Sequence, residues 1–152
     1  MILRAATPSD FQALHALYKE LVGTIDVPDG DIGRARLNEV LSHPGTQVVL
    51  AESEGMPVSM VTLHVLPNMT FGGRPYALIE NVVTLKSHQG QGIGRQVMEY
   101  AAEQAWAAGC YKIMLLTGTS FGARGFYEKL GYDPESKQAM ILRRAPQRRP
   151  QV

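Results

Sequence analysis

The chain has 152 residues, 45% of them apolar, and its 15 lysines and arginines nearly balance 14 aspartates and glutamates, for a formal charge of +1. That length supports one hydrophobic core and leaves little room for a second domain, and the charge balance gives no general attraction to nucleic acid or to a membrane surface. No run approaches the ~20 apolar residues of a membrane-spanning helix, and a single cysteine, Cys110, excludes an internal disulfide framework. The first residues, Met1 to Phe11, lack the basic segment and apolar run of a secretory signal, so a cytoplasmic location is expected.

Ile2 to Ala5 reads as a short strand, followed by Thr7 as a helix cap and Pro8 in the first turn, where no amide donor is needed. Phe11, Leu14, Leu17, Tyr18 and Leu21 then recur at helical spacing up to Gly23. An acidic loop with Asp26, Asp29 and Asp31 precedes a second, shorter helix over Arg34 to Ser42. From Thr46 the pattern changes to two β-rich runs, Thr46–Ser53 and Pro57–Leu66, joined as a hairpin across Glu54-Gly55. After a loop over Asn68 to Pro75, Tyr76 to Thr84 forms another strand. A long helix follows over Arg95 to Ala108, then a strand over Tyr111 to Thr117, a helix over Phe121 to Leu130 and a last strand over Gln138 to Arg143. The Arg- and Pro-rich tail from Ala145 is expected to be disordered. Strands in a run, then alternating with helices, predict a mixed sheet covered on both faces.

The most informative stretch is Gln89 to Gly94. Gly90, Gly92 and Gly94 alternate just before the long helix, where the backbone can turn tightly and the first helical amides have no internal acceptor. Several such amides and the positive end of the helix dipole suit a diphosphate, although the same loop without a ligand is an ordinary strand-to-helix turn. A dinucleotide fingerprint fails because Arg95 or Val97 stands where its third glycine is needed, and a Walker loop fails because no Gly-Lys-Ser or Gly-Lys-Thr closes the stretch.

Gln89-Gly90-Gln91-Gly92-Ile93-Gly94 resembles the Gln/Arg-x-x-Gly-x-Gly signature of the GNAT superfamily of N-acetyltransferases. Gly125-Phe126-Tyr127-Glu128-Lys129-Leu130-Gly131-Tyr132 resembles a second hallmark of that family, at a suitable distance downstream. The resemblance implies a GNAT-like α/β (α+β mixed sheet) fold in the order β-α-α-β-β-β-α-β-α-β, a single domain over residues 1–144 with 145–152 as a basic tail, and acetyl-coenzyme A as co-substrate.

It also implies roles by position. The backbone of Val82, Val83 and Thr84 would bond the thioester and the pantetheine arm. The loop from Gln89 through Gln91 and Ile93 would hold the pyrophosphate through the amides of Gly90, Gly92, Gly94 and Arg95, with Gln89 bracing the turn. Arg95, Arg124 and Lys129 are candidates for the outer phosphates, and Ser120 stands where many relatives carry an asparagine on the pantetheine arm. Tyr127 matches the tyrosine that protonates the departing thiolate; a phenol of pKa about 10 suits a thiol of about 8.5. Its alternative is a packed tyrosine beside Phe126.

An amine of pKa near 10.4 must lose a proton before it attacks, at a cost of roughly 4.6 kcal/mol at pH 7. Glu80 interrupts an apolar strand two residues from Val82, so it is the candidate base, with burial expected to raise its pKa; the alternative is an ion-pair partner. Asn81 is expected to face the other way, and His64 and His88 to be structural or solvated. Cys110 reads as a small buried side chain and not as a nucleophile. No residues have metal-ligand spacing, so no metal is expected. The resemblance implies that the acidic loop borders the acceptor cleft, where it would favour a cationic amine; the alternative is a solvated loop. A non-catalytic acyl-coenzyme A sensor or interaction module of the same fold remains an alternative. Nucleic-acid binding through Arg143, Arg144, Arg148 and Arg149 lacks interleaved aromatics and is not expected. Many relatives are dimers, and a homodimer is the oligomer the resemblance suggests.

Overall fold

The computed structural model describes residues 1–23 and 25–147. They fall into two compact units, Met1–Leu115 and the shorter segment from Leu116 onward. The first contains β1 (Ile2–Ala5), α1 (Phe11–Val22), α2 (Gly30–Ser42), β2 (Thr46–Ser53), β3 (Met56–Leu66), an irregular turn α3 (Thr70–Gly73), β4 (Tyr76–Thr84), α4 (Ile93–Ala107) and β5 (Ile113–Leu115); the second contains α5 (Arg124–Glu128).

The five strands form one sheet in the order β1-β2-β3-β4-β5, antiparallel throughout except for the parallel β4–β5 pair. The predicted hairpin turns at Glu54 and Gly55, both at positive φ (52° and 80°), the paired left-handed geometry that matches strand twist. Alternation along the strands divides the core in two. Val48, Leu50, Met60 and Val83 meet Phe11, Leu14 and Leu17 of α1 and Leu37 of α2. The intervening Val49, Val61, Leu63 and Ile79 are buried on the other face, where α4 contributes Val97, Met98, Ala101 and Ala105. The mixed sheet with helices on both faces is therefore as expected.

A polar clasp closes the β1 end. Arg4 bonds Asp10 at 2.8 and 2.9 Å and Glu52 at 2.9 Å, tying β1 to the turn before α1 and to β2. Those bonds hold the Asp10 carboxyl down at about 2 against partial burial, with the Thr7 amide assisting.

Several boundaries move. α2 starts at Gly30, four residues before the expected Arg34, because Asp29 caps it by accepting from the Gly30 amide at 2.7 Å. β5 and α5 are shorter than expected. The last strand, expected over Gln138–Arg143, is not formed: those residues have no ladder partner, and Met140 and Leu142 are 95% and 102% exposed. A short apolar run becomes a strand only where an edge receives it, which propensity alone does not show. The expectation for the tail from Ala145 falls largely on residues 148–152, outside the described residues.

Candidate active site

The site is organised by a defect in β4. Met60 pairs with Val83 and Thr62 with Glu80, so Asn81 and Val82 together oppose Val61 in a β-bulge. Asn81 sits at its centre with φ of 53°, a left-handed conformation that asparagine tolerates better than most residues. Its side-chain amide donates to Thr62 Oγ1 at 3.3 Å, and Thr62, 2% exposed, is also hydrogen-bonded to Tyr18 of α1. Burial pushes the Tyr18 hydroxyl above its usual range, and the Thr62 bond works against it. Two expectations are thereby corrected. Glu80 does not share a face with Val82, because the bulge resets the alternation and registers Glu80 with Thr62, on the face where Met60 registers with Val83. Nor is it buried: Glu80 is exposed. No ion pair among the described residues involves it.

The parallel partner of β4 runs only from Ile113 to Leu115 and pairs with Ala77–Ile79. From Glu80 to Thr84, β4 has no β5 neighbour, which leaves a backbone edge over the stretch that contains Val82, Val83 and Thr84. On the β3 side, Ser59 Oγ donates to the Val83 carbonyl at 2.9 Å and lies 2.8 Å from Thr84 Oγ1.

The glycine loop follows within the same unit. Gln89 Nε2 donates to the Thr84 carbonyl at 3.0 Å and Gln91 Nε2 to the Ser87 carbonyl at 3.3 Å, so both glutamines brace the turn. Gly90 and Gly92 have φ of 75° and 77°, which require glycine, and a Cβ at either would meet nothing within 4 Å. The space a side chain would take at either glycine is thus open among the described residues. The first helical bond runs from the Gln96 amide to the Gly92 carbonyl, so the amides of Ile93, Gly94 and Arg95 precede the helical ladder. Gly94 lies inside α4 with ordinary helical backbone, so only two of the three glycines are required by conformation. Arg95 faces Glu99 at 3.8 Å on the exposed helix surface.

The remaining expected site residues lie in the second unit. Tyr127 is half-buried and meets Phe126 and Tyr132 edge-on, with ring centroids 5.1 and 6.2 Å apart. Burial, with the neighbouring Tyr127, pushes the Tyr132 hydroxyl up to about 12. Arg124 is held by Glu128 at 2.7 Å and Glu135 at 2.5 Å, so a phosphate would compete with two carboxylates for it. Lys129 and Ser120 are exposed.

Among the other residues considered, His64 bonds Thr46 at 2.9 Å across the β2–β3 pair, a structural use. Cys110 is buried and its thiol is pushed up by that burial, which disfavours a thiolate. Of the acidic trio, Asp29 caps α2 and Asp26 lines a cavity between α1 and α2. Among the described residues no cluster of metal-ligating side chains occurs, and no helix is long and apolar enough to cross a membrane.

A bulged strand whose second half has no β5 partner thus leads into braced glycines at a helix start. Residues 8–132 match the sequence profile of the Acetyltransferase (GNAT) family. The chain belongs to the GNAT family of N-acetyltransferases. Over 143 residues it is 34% identical to the glucosamine 6-phosphate N-acetyltransferase of Trypanosoma brucei brucei, covering 91% of this chain and 93% of that one. A solved structure from Agrobacterium tumefaciens, whose own assignment as an acetyltransferase is provisional, superposes with a TM-score of 0.89 at 40% identity, over 94% of this chain and all of that one. A Trypanosoma brucei acetyltransferase superposes at 0.78 with 27% identity, over 92% and 97% of the two chains.

Sequence reasoning about this GNAT enzyme missed Tyr18 and Thr62 and turned Asn81 the other way, whereas the bulge brings its amide to Thr62, the register partner of Glu80. Tyr18 and Thr62 follow the regular pattern of their elements and gave no signal. Asn81 gave one, an amide side chain inside an apolar strand, which is a residue suited to a bulge.

Proposed function

We propose that the enzyme transfers an acetyl group from acetyl-coenzyme A directly to a primary amine of a small molecule or peptide. The observation that carries this reading is the pair of positive-φ glycines leading into α4, with open space beside them among the described residues, following the stretch of β4 that has no β5 partner. The amides of Gly90, Gly92, Gly94 and Arg95 would bind the pyrophosphate, and the Val82–Thr84 backbone the thioester end. The attacking nitrogen adds to the thioester carbonyl, the carbon–sulfur bond breaks, and Tyr127 gives its proton to the departing thiolate. Glu80 takes the proton from the amine, through water, as an exposed carboxylate on the bulged strand. The relative from Trypanosoma brucei brucei acts on glucosamine 6-phosphate, which places that amine in the set to be tried.

Calorimetry with acetyl-coenzyme A, together with thiol release in the presence of amines, tests the reading. Binding and amine-dependent thiol release are expected, and Tyr127→Phe should lower kcat on the order of a hundredfold with little change in the KM for acetyl-coenzyme A. Absence of binding would reject the phosphate cradle. Undiminished turnover in Tyr127→Phe would remove that residue from the mechanism.

A further inference from the structure

A cavity of about 330 Å³ opens in the first unit between α1 and α2, with Asn81 of the bulge in its lining. The volume lies at the lower end of the ~300–1,000 Å³ range of small-molecule sites. Its walls are Leu14 and Val22 of α1, Ile25 and Val27 of the connection, and Leu37 and Val40 of α2, with the Phe11 and Tyr18 rings beside them. Close packing around it is enforced: a Cβ on Gly33, also in the lining, would come within 2.4 Å of the Pro28 carbonyl and 2.8 Å of the Phe11 ring.

The polar groups of this cavity are few and mostly engaged. Tyr18 and Asn81 both bond Thr62. His15 Nε2 lies 3.4 Å from the Val27 carbonyl, and Arg36 forks onto both Glu39 oxygens at 2.7 and 2.9 Å. Asp26, exposed, is the one anionic group in the lining. A polyhydroxylated amine placed here would bury hydroxyls against hydrocarbon, where each unpaired group is costly. A phosphate would compete with the Glu39 carboxylate, which already holds Arg36 Nη1. An amine with an apolar body meets neither penalty: the body fills the cavity and its ammonium form is attracted by Asp26.

We infer that this cavity receives the hydrocarbon or aromatic part of the acceptor, so that the acceptor is a primary amine with an apolar substituent and not an amino sugar or its phosphate. The inference rests on the acetyl-transfer reading above and deepens it. Asn81 connects the two, since it lines the cavity and immediately precedes the Val82–Thr84 backbone assigned to the thioester.

The test is a series of primary n-alkylamines and phenylalkylamines of increasing length, set against glucosamine and its 6-phosphate. Thiol release from acetyl-coenzyme A gives KM and kcat; calorimetry of the same amines, with the protein saturated by free coenzyme A, gives binding without reaction. The KM and the dissociation constant should each fall about fourfold per added methylene until the cavity is full. Ile25→Asn, a change in an exposed connection, and Val40→Trp, which narrows the cavity, should each raise the KM of the longest amines about tenfold and leave that of acetyl-coenzyme A unaltered. Chain-length-dependent binding without thiol release would uphold the cavity assignment and reject acetyl transfer to these amines. Thiol release with no dependence on chain length, or better turnover of the amino sugars, would overturn the cavity assignment and leave acetyl transfer standing. If Val40→Trp fails to fold, Ile25→Asn decides alone, and an unchanged KM there counts against the inference.

Discussion

The two faces of the sheet differ in what they bury. Under α4, Val49, Val61, Leu63 and Ile79 meet Val97, Met98 and Ala101, and every one of these side chains is apolar and at most 2% exposed. Under α1 and α2, Val48, Leu50 and Met60 share the face with Thr62, which carries hydrogen bonds from two elements, and the packing opens into a cavity. The first face follows from repeating apolar contacts. The second gives up contacts to keep a bulge, a polar bridge and an unfilled volume next to the strand proposed to hold the thioester. That difference separates the residues that hold the fold from those that shape the site.

The contrast can be broken by substitution. On the α4 face, Met98→Ala should cost about 2–5 kcal/mol, because the side chain is 1% exposed and its loss leaves a cavity. Chemical denaturation should show that loss, while the KM for amine in the remaining folded protein stays put; a large change in KM with little loss of stability would erase the distinction between the faces.

The Arg4 clasp provides a pH-dependent effect remote from both. Asp10 has a folded pKa of about 2, below its ordinary value, so its contribution is present above pH ~4 and lost as pH falls through 2. The loss should be on the order of 1–2 kcal/mol. Asp10→Asn should flatten this part of the pH–stability curve, and an unchanged slope between pH 4 and 2 would show that the clasp contributes nothing.

At the glycine loop, Gly92→Ala should cost about 1 kcal/mol in stability, from the positive φ alone, since a Cβ there meets no protein atom. If the loop cradles the pyrophosphate, affinity for acetyl-coenzyme A should fall much further than stability does, and equal losses would argue for a turn with no ligand. The smallest stability effect is expected on the cavity face. Tyr18→Phe removes one hydrogen bond to Thr62 and should cost about 0.5–1 kcal/mol, since the Asn81 bond to Thr62 remains. Its effect on amine KM should nonetheless exceed that of Met98→Ala.

Much of this was legible in the chain alone. The limits of β2 and β4, the turn at Glu54-Gly55, the stripe of α1 and the braced glycine loop were all expected, because each is set by local periodicity, by turn chemistry or by residues close in sequence. The two motifs were enough to assign the family. The exposure of Glu80, the register it adopts, and the bridge joining Tyr18, Thr62 and Asn81 were decided by the tertiary structure. One extra residue in a ladder inverts the alternation beyond it, and that insertion is defined only against the partner strand, residues 59–62 of β3. The same holds for Gln138–Arg143, whose apolar run has strand-like composition but pairs with no strand among the described residues. Sequence determines what a segment can pair or pack with; whether a partner is there, and in what register, depends on contacts between residues far apart in the chain.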